Sequence, residues 1–300
     1  MTIAAGDAVI PRVAAALDQA CRSCGLDPAG ATLLRTFANT VYLLPVDGVV
    51  VRLAEATTPG KYDRLVTSVR VTRWLAEHGY PTVRPLEVRQ PVAAEGFLVT
   101  FWHHESDPGE QEPPEPECLG PMLRRLHDLP PVPFELPVYD PFGSVRRAIE
   151  ASRVLSAADR GWLFDRCSAL AETYYEQLTF ALPYGLIHGD AHRGNVVRAS
   201  GRVLLCDWDS VSAGPREIDL IPTLQGTRFG FTGAQRDAFC RAYGYDASLW
   251  DGYPVLRDMR EMQTLTAVLR NAHRDPGAHR ELEHRLASLR AGDDRLWHPF

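Results

Sequence analysis

His188-Gly189-Asp190-Ala191-His192-Arg193-Gly194-Asn195, followed by the apolar run Val203-Leu204-Leu205-Cys206 and then by Asp207-Trp208-Asp209, is the stretch from which the rest of the chain is read. Asp190 follows a short apolar strand and precedes a glycine-containing turn. Its carboxylate can therefore face a cleft and accept a hydrogen bond from a substrate hydroxyl, as a catalytic base does. Asn195 offers a carbonyl oxygen and Asp207 a carboxylate, hard donors of the kind Mg2+ takes together with phosphate oxygens. Phosphoryl transfer asks a protein for positioning and charge neutralisation more than for covalent chemistry, and these three side chains supply both. One Asp or Asn beside glycine is an ordinary turn former. The joint pattern, with an apolar strand before each acidic position, points to a nucleotide-dependent transferase. His188, just before the turn, braces the loop, and His192 either contacts phosphate or holds the turn.

Upstream, Val9, Val13, Ala16, Leu17 and Ala20 recur at helical spacing and stop near Gly25 and Pro28, which predicts an N-terminal helix. Short apolar runs at 33–37, 41–44 and 49–53, the last two separated by Asp47-Gly48, predict an antiparallel meander. Pro59 and Gly60 open a helical pattern that Gly79 and Pro81 close, and two more strands are expected at 83–88 and 96–102. From 105 to 117 the sequence ESDPGEQEPPEPE has almost no apolar side chains and reads as an exposed connector. Helical patterns follow at 118–128, 144–154 and 158–180, short strands flank the opening motif, and 215–290 is mainly helical. The fold class is α+β, with a small antiparallel β-sheet lobe at 1–103 and a larger, mainly helical lobe at 104–300.

The chain has 300 residues, 45% hydrophobic and 23% charged, the balance of a globular protein with a sizeable core. The net charge of −6 and the scattered Lys and Arg argue against a nucleic-acid partner and suit a cationic small molecule. No basic, apolar leader opens the chain and no window approaches the roughly eighteen apolar residues of a membrane span, so a cytoplasmic protein without a membrane partner is expected. Cys21 and Cys24 form a lone C-x-x-C at a helix end, which reads as reduced thiols rather than a zinc or redox site.

The segments HGDAHRGN and LLCDWDSVSAGPREIDL resemble the signature of the aminoglycoside phosphotransferase family, within the wider protein-kinase-like fold. The meander, LAEHGYPTVRPL, GFLVTFW and LGPMLRRLHDLP fall in that family's order, so the resemblance covers nearly the whole chain. It implies a bilobal kinase-like fold with ATP or GTP as donor, Mg2+, and a hydroxyl of a small cationic natural product as acceptor. Antibiotic inactivation is the leading activity, beside a metabolic small-molecule kinase or a non-catalytic nucleotide-binding protein; the protein would be a monomer or homodimer. By the same resemblance Asp190 is the catalytic aspartate, Asn195 and Asp207 are magnesium ligands, Asp209 is a second acidic residue near the metal, and Asp219 supports the active-site loop. Arg52 takes the place of the lysine on the α- and β-phosphates, where its permanent charge and planar fork still bind phosphate. The glycine-free loop Phe37-Ala38-Asn39-Thr40-Val41 covers the phosphates through Asn39 and Thr40, and Phe101-Trp102-His103 forms the hinge that takes the purine. The helix glutamate that would pair with Arg52 aligns with Ser68, which cannot form an ion pair, and Asp63 is the nearest substitute. Asp237, Asp246, Asp251, Asp258 and Glu261, interleaved with aromatic residues, are the expected cation-binding surface for the acceptor.

Overall fold

The apolar face of the first helix, α1 (Ala5–Ser23), buries Val13, Ala16, Leu17 and Ala20, and the chain leaves it through Gly25 at φ +70°, where a side chain would be strained. In this computed structural model residues 5–36, 39–105, 114–199 and 201–299 are described. The chain divides into two units, the first comprising Met1–Pro114, Val132–Phe134 and Gly194–Val211, and the second Glu115–Pro131, Glu135–Arg193 and Ser212–Phe300. The division is therefore not a single cut in the sequence.

In the first unit β1 (Thr32–Thr36), β2 (Thr40–Leu44) and β3 (Val49–Glu55) form the expected meander, continued by β5 (Phe97–His103) and β4 (Val92–Ala94) in the order β1-β2-β3-β5-β4. All neighbours are antiparallel. Side chains alternate across the sheet. Val49, Val51, Leu53, Val99 and Phe101 pack with α1, while Val50, Arg52, Ala54, Thr100 and Trp102 fall on the opposite face. The strand expected at 83–88 does not form. Pro85 interrupts the amide ladder there, and Pro81 and Pro91 flank it, leaving isolated bridges from Thr82 to Leu205 and from Pro85 to Trp102. Its backbone needs are met locally instead: the Gln90 side chain donates to the carbonyls of Leu86 and Phe101 and accepts from the Phe101 amide.

The segment 194–211 joins this unit through the hairpin of β7 (Val196–Ala199) and β8 (Arg202–Leu205). The Leu205 amide donates to the Pro81 carbonyl at 2.9 Å, and the Val83 amide donates to the Leu205 carbonyl at 3.2 Å. Trp208, 1% exposed, donates its indole N–H to Thr82 Oγ1 at 2.9 Å. The short 3-10 helix Trp208–Ser210 thereby packs on α2 (Lys61–Glu77).

The second unit is helical: α3 (Leu119–His127), α4 (Gly143–Ala151), α5 (Ala157–Glu176), α6 (Glu217–Leu224), α7 (Gly233–Tyr243), α8 (Tyr253–Asn271) and α9 (Pro276–Ala291). A two-stranded ladder of β6 (Tyr184–Ile187) with β9 (Ser212–Pro215) crosses it. Fully buried Glu217 accepts from the amides of Ala181 and Leu182, both at 2.7 Å, and so ties the start of α6 to the turn before β6. Near the C-terminus Trp297 is buried and its amide donates to the Arg228 carbonyl at 2.7 Å. Much of the proline-rich connector, 106–113, lies outside the described residues. Among the described residues no helix is long and apolar enough to cross a membrane. None of the six cysteines is in a disulfide, and burial pushes the Cys21 thiol up to about 11, consistent with an unreactive packing role.

Trp208→Ala should destabilise the first unit by about 3 to 5 kcal/mol, because it removes a large buried side chain and its hydrogen bond. Leu249→Ala, at a position 83% exposed, should stay within about 0.5 kcal/mol of wild type in the same denaturant titration.

Candidate active site

The two units each carry one group of the residues singled out from the sequence. In the first, Arg52 lies in β3 between Val41 of β2 and Thr100 of β5, with only 8% of its surface exposed. A buried guanidinium requires carboxylate partners, since desolvation otherwise disfavours its charge. They come from 207–209. Arg52 donates through Nη1 and Nη2 to Asp209 at 2.8 and 2.7 Å, and through Nη2 to Asp207 at 3.1 Å. Lys61, the first residue of α2, adds a bond to Asp209 Oδ2 at 2.7 Å. Burial pushes the Asp209 carboxyl up, but Arg52 and Lys61 outweigh it and hold the group below its ordinary range. Burial likewise opposes the Arg52 charge, and Asp209 and Asp207 more than restore it.

This arrangement corrects the expectation for α2. Asp63 is exposed, and Ser68 is fully buried with no hydrogen-bond partner for its Oγ among the described residues. The carboxylate that faces Arg52 comes instead from Asp209, a residue expected beside the metal. Lys61 was not singled out, although it is the only lysine in the sequence and that rarity was a signal, because a lysine opening a helix is ordinarily a solvated one.

Asn195 and Asp207 close the open end of the β7–β8 hairpin. Val196 pairs with Leu205, and one step further the Cys206 amide donates to the Asn195 carbonyl at 2.8 Å. Asp207 then adopts φ +62°, a left-handed conformation that Asp tolerates better than most residues and that turns the chain directly from β8 into the 3-10 helix. One amide oxygen and one carboxylate at adjoining positions are hard donors suited in kind to a magnesium ion that takes its other ligands from phosphate and water.

In the second unit the loop after β6 is held by Asp219 of α6, which is fully buried. Its carboxylate accepts from the amides of His188 and Gly189, both at 2.8 Å, and lies 3.1 Å from His127 Nε2. His127 Nδ1 is 2.8 Å from the Tyr243 hydroxyl, which extends the buried network to α7. His188 is fully buried, and its Nδ1 lies 3.3 Å from the Asp190 amide, the bracing position expected for it. Asp190 emerges from this scaffold with 36% of its side chain exposed, Oδ1 being 2.8 Å from Arg260 Nη1 of α8 and Oδ2 3.9 Å from His192 Nε2. Burial would raise the Asp190 carboxyl; Arg260 above all, then His192 and His188, keep it below the ordinary value. It is a carboxylate at neutral pH, partly open and geometrically fixed.

A model of the phosphotransferase enzyme family matches residues 31–259. The chain belongs to the phosphotransferase enzyme family. Its fold is that of solved kinases of the protein-kinase-like class. An amicoumacin kinase in complex with AMP-PNP, Ca2+ and Ami is 16% identical, with a TM-score of 0.69 over 91% of each chain. A microcompartment-associated aminopropanol kinase is 17% identical, with a TM-score of 0.65 over 94% of this chain and 95% of that one. Aminoglycoside phosphotransferase APH(3'')-Id from Streptomyces rimosus is 19% identical, with a TM-score of 0.61 over 84% and 98%. None of the curated proteins searched matches the chain.

The remaining expected residues of this phosphotransferase are distributed unevenly. Asn39 and Thr40 stand at the β1–β2 turn, Thr40 opposite Leu53, while Phe37 and Ala38 lie outside the described residues. Trp102 shares the sheet face of Arg52, but Phe101 does not: it is fully buried in the core under α1, because adjacent strand residues point to opposite faces. Its amide is also engaged, with Gln90. Phe101 is thus a core residue rather than part of a purine sandwich. The His103 amide donates to Arg84 at 2.9 Å. The acidic surface expected for the acceptor is largely committed to internal partners. Asp246 caps the 3-10 helix Ala247–Leu249, Asp258 pairs with Arg166 and Arg257, and Glu261 is buried against Arg228 at 2.7 Å. No signal in the sequence sets Arg260 apart from the other arginines of α8.

Replacing Asp219 with alanine strips the buried donors of His188, Gly189 and His127 of their acceptor at once. The expected loss is about 3 to 5 kcal/mol, seen as a large drop in Tm; a variant with wild-type Tm would show that the network does not support the loop.

Proposed function

We propose that this phosphotransferase transfers the γ-phosphoryl group of ATP or GTP to a hydroxyl of a small molecule, with Asp190 as the base. The observation that carries the reading is the state of Asp190: a partly exposed carboxylate, held charged by Arg260, on a loop anchored by buried Asp219. The acceptor hydroxyl hydrogen-bonds to Asp190 and gives it its proton as the oxygen attacks the γ-phosphorus. The new O–P bond forms while the bond from γ-phosphorus to the bridging oxygen breaks, and its electron pair leaves on the nucleoside diphosphate. Arg52, preset by Asp209 and Lys61, contacts the nucleotide phosphates. Asn195 and Asp207 would hold magnesium, which when bound offsets the negative charge on the phosphates. Asp209 supplies the carboxylate that Ser68 cannot, so Arg52 has the ion pair a working site needs, which supports a catalytic over a non-catalytic nucleotide-binding protein. A cytoplasmic location, where ATP and GTP are abundant, suits this chemistry.

The acceptor class has two supports. Similarity to an amicoumacin kinase and an aminoglycoside phosphotransferase favours antibiotic inactivation, and similarity to an aminopropanol kinase favours a metabolic small molecule. Incubation with Mg2+, ATP or GTP and a panel of aminoglycosides, amino alcohols and hydroxy acids, read by mass spectrometry, should show the gain of one phosphoryl group on an acceptor. If nucleotide with Mg2+ raises Tm but no acceptor is modified, a binding function is favoured instead.

Asp190→Ala should lower kcat by about a thousandfold or more while nucleotide affinity changes little. Asp209→Asn, which keeps the shape but removes the charge facing Arg52 and Lys61, should weaken nucleotide binding about tenfold, whereas Asp63→Asn should leave it unchanged; equal effects would remove Asp209 from phosphate positioning.

A further inference from the structure

Arg260 has no part in the chemistry described so far except to face Asp190, and its surroundings suggest a second task. Its side chain is 19% exposed, and Nη1 is taken by Asp190 Oδ1 at 2.8 Å. Its Nε is buried and has no hydrogen-bond partner among the described residues. The edge of a guanidinium formed by Nε and one Nη is the edge that binds a carboxylate side-on through two parallel hydrogen bonds. A narrow crevice opens beside it in the same helical unit, walled by Tyr139, Ile218, Ile221, Leu256 and Met259, with Gly189 of the Asp190 loop at its border. Gln263 donates to the Tyr139 hydroxyl at 2.7 Å and to the Pro141 carbonyl at 2.9 Å, so the polar side of the crevice is fixed. The crevice wall contributes no acidic side chain, and Asp258 and Glu261 on α8 are already paired with Arg166 and Arg257 and with Arg228. Next to Asp190 an acceptor would therefore meet the Arg260 guanidinium and, Asp190 itself apart, no carboxylate from the crevice wall.

We infer that Arg260 is a specificity-determining residue that receives a carboxylate of the acceptor, placed a few bonds from the hydroxyl that Asp190 deprotonates. The acceptor is then a hydroxy acid or hydroxy amino acid rather than a polycation. A hydroxyl within hydrogen-bond distance of Asp190 sets the rest of a short molecule next to the guanidinium already touching that aspartate. A carboxylate there gives the buried Nε an acceptor, while Asp190 keeps Nη1. An ammonium at the same place meets a like charge, so the arrangement selects by repulsion as well as attraction. The inference rests on the reading of Asp190 as base.

The test uses the full chain with Mg2+ and ATP and three matched acceptor sets: hydroxy acids and hydroxy amino acids from serine to hydroxylysine, their carboxamides, and the corresponding amino alcohols. Phosphorylation of a carboxylate member in preference to its amide and amino alcohol is expected. Arg260→Gln should lower kcat for acid and amide alike, because Asp190 loses its cation, and should in addition raise KM for the carboxylate member about tenfold or more while KM for the amide changes little; Arg260→Lys should restore part of both losses. Folding of both variants is checked by Tm. Preference for amino alcohols or aminoglycosides, absence of turnover with every carboxylate member, or an equal change in KM for acid and amide in Arg260→Gln would each overturn the inference. Asp190→Asn separates the two levels: turnover that survives it removes the base reading itself, whereas turnover lost in Asp190→Asn but insensitive to the acceptor's carboxylate removes only the role given to Arg260.

Discussion

A guanidinium buried in a β-sheet is the constraint around which the first unit is organised. Arg52 sits between two neighbouring strands with little access to water, and desolvation of an unpaired charge there would outweigh anything the sheet gains from it. The compensating carboxylates come from residues more than a hundred and fifty positions away, Asp207 and Asp209. That requirement fixes the segment after β8 against β3, and Lys61 extends it to the start of α2. The left-handed backbone of Asp207 belongs to the same arrangement, since the chain must turn at once from strand to 3-10 helix for both aspartates to reach one cation. Strand, hairpin end and helix start are thus locked by one cluster of charges, the same side chains that would meet phosphate and magnesium.

The helical unit is organised by the opposite sign. Asp219 is fully buried as a carboxylate, and instead of a cation paired at close range it has two backbone amides and a histidine that passes the network on to Tyr243. Amide donors are rigid, so this solution fixes backbone rather than side chains. It is suited to hold a loop whose aspartate must stay in place while substrates come and go. Around Asp190 the protein then uses a flexible cation, Arg260, which can share its hydrogen bonds with a ligand. In each unit buried charges fix the frame, and in the second Asp190 and Arg260 remain partly exposed.

The fold was legible where local signals agree. The Asp47-Gly48 turn, the helix stops at Gly25 and Gly79 and the apolar runs of β3 and β5 placed those elements within a few residues of their observed ends. The strand expected at 83–88 failed because an apolar run says nothing about whether its amides have a partner strand, and Pro85 in its middle has no amide to give. Phe101 was misread for a related reason: a sequence places an aromatic residue in a strand, but only the register decides which face it occupies. The acidic run on α7 and α8 looked like a cation site because the arginines that neutralise it lie elsewhere in the chain.

The sequence by itself determined the family and most of the order of elements, and it marked Asp190, Asn195 and Asp207 as candidates, because these depend on residue types at short, fixed spacings. Only the tertiary structure decided which carboxylate positions Arg52, that Ser68 has no such task, and that an arginine stands beside Asp190. The reason is physical. Electrostatic partners are chosen by distance and burial after the chain has folded, and charges far apart in sequence carry no mark of the partners they will meet.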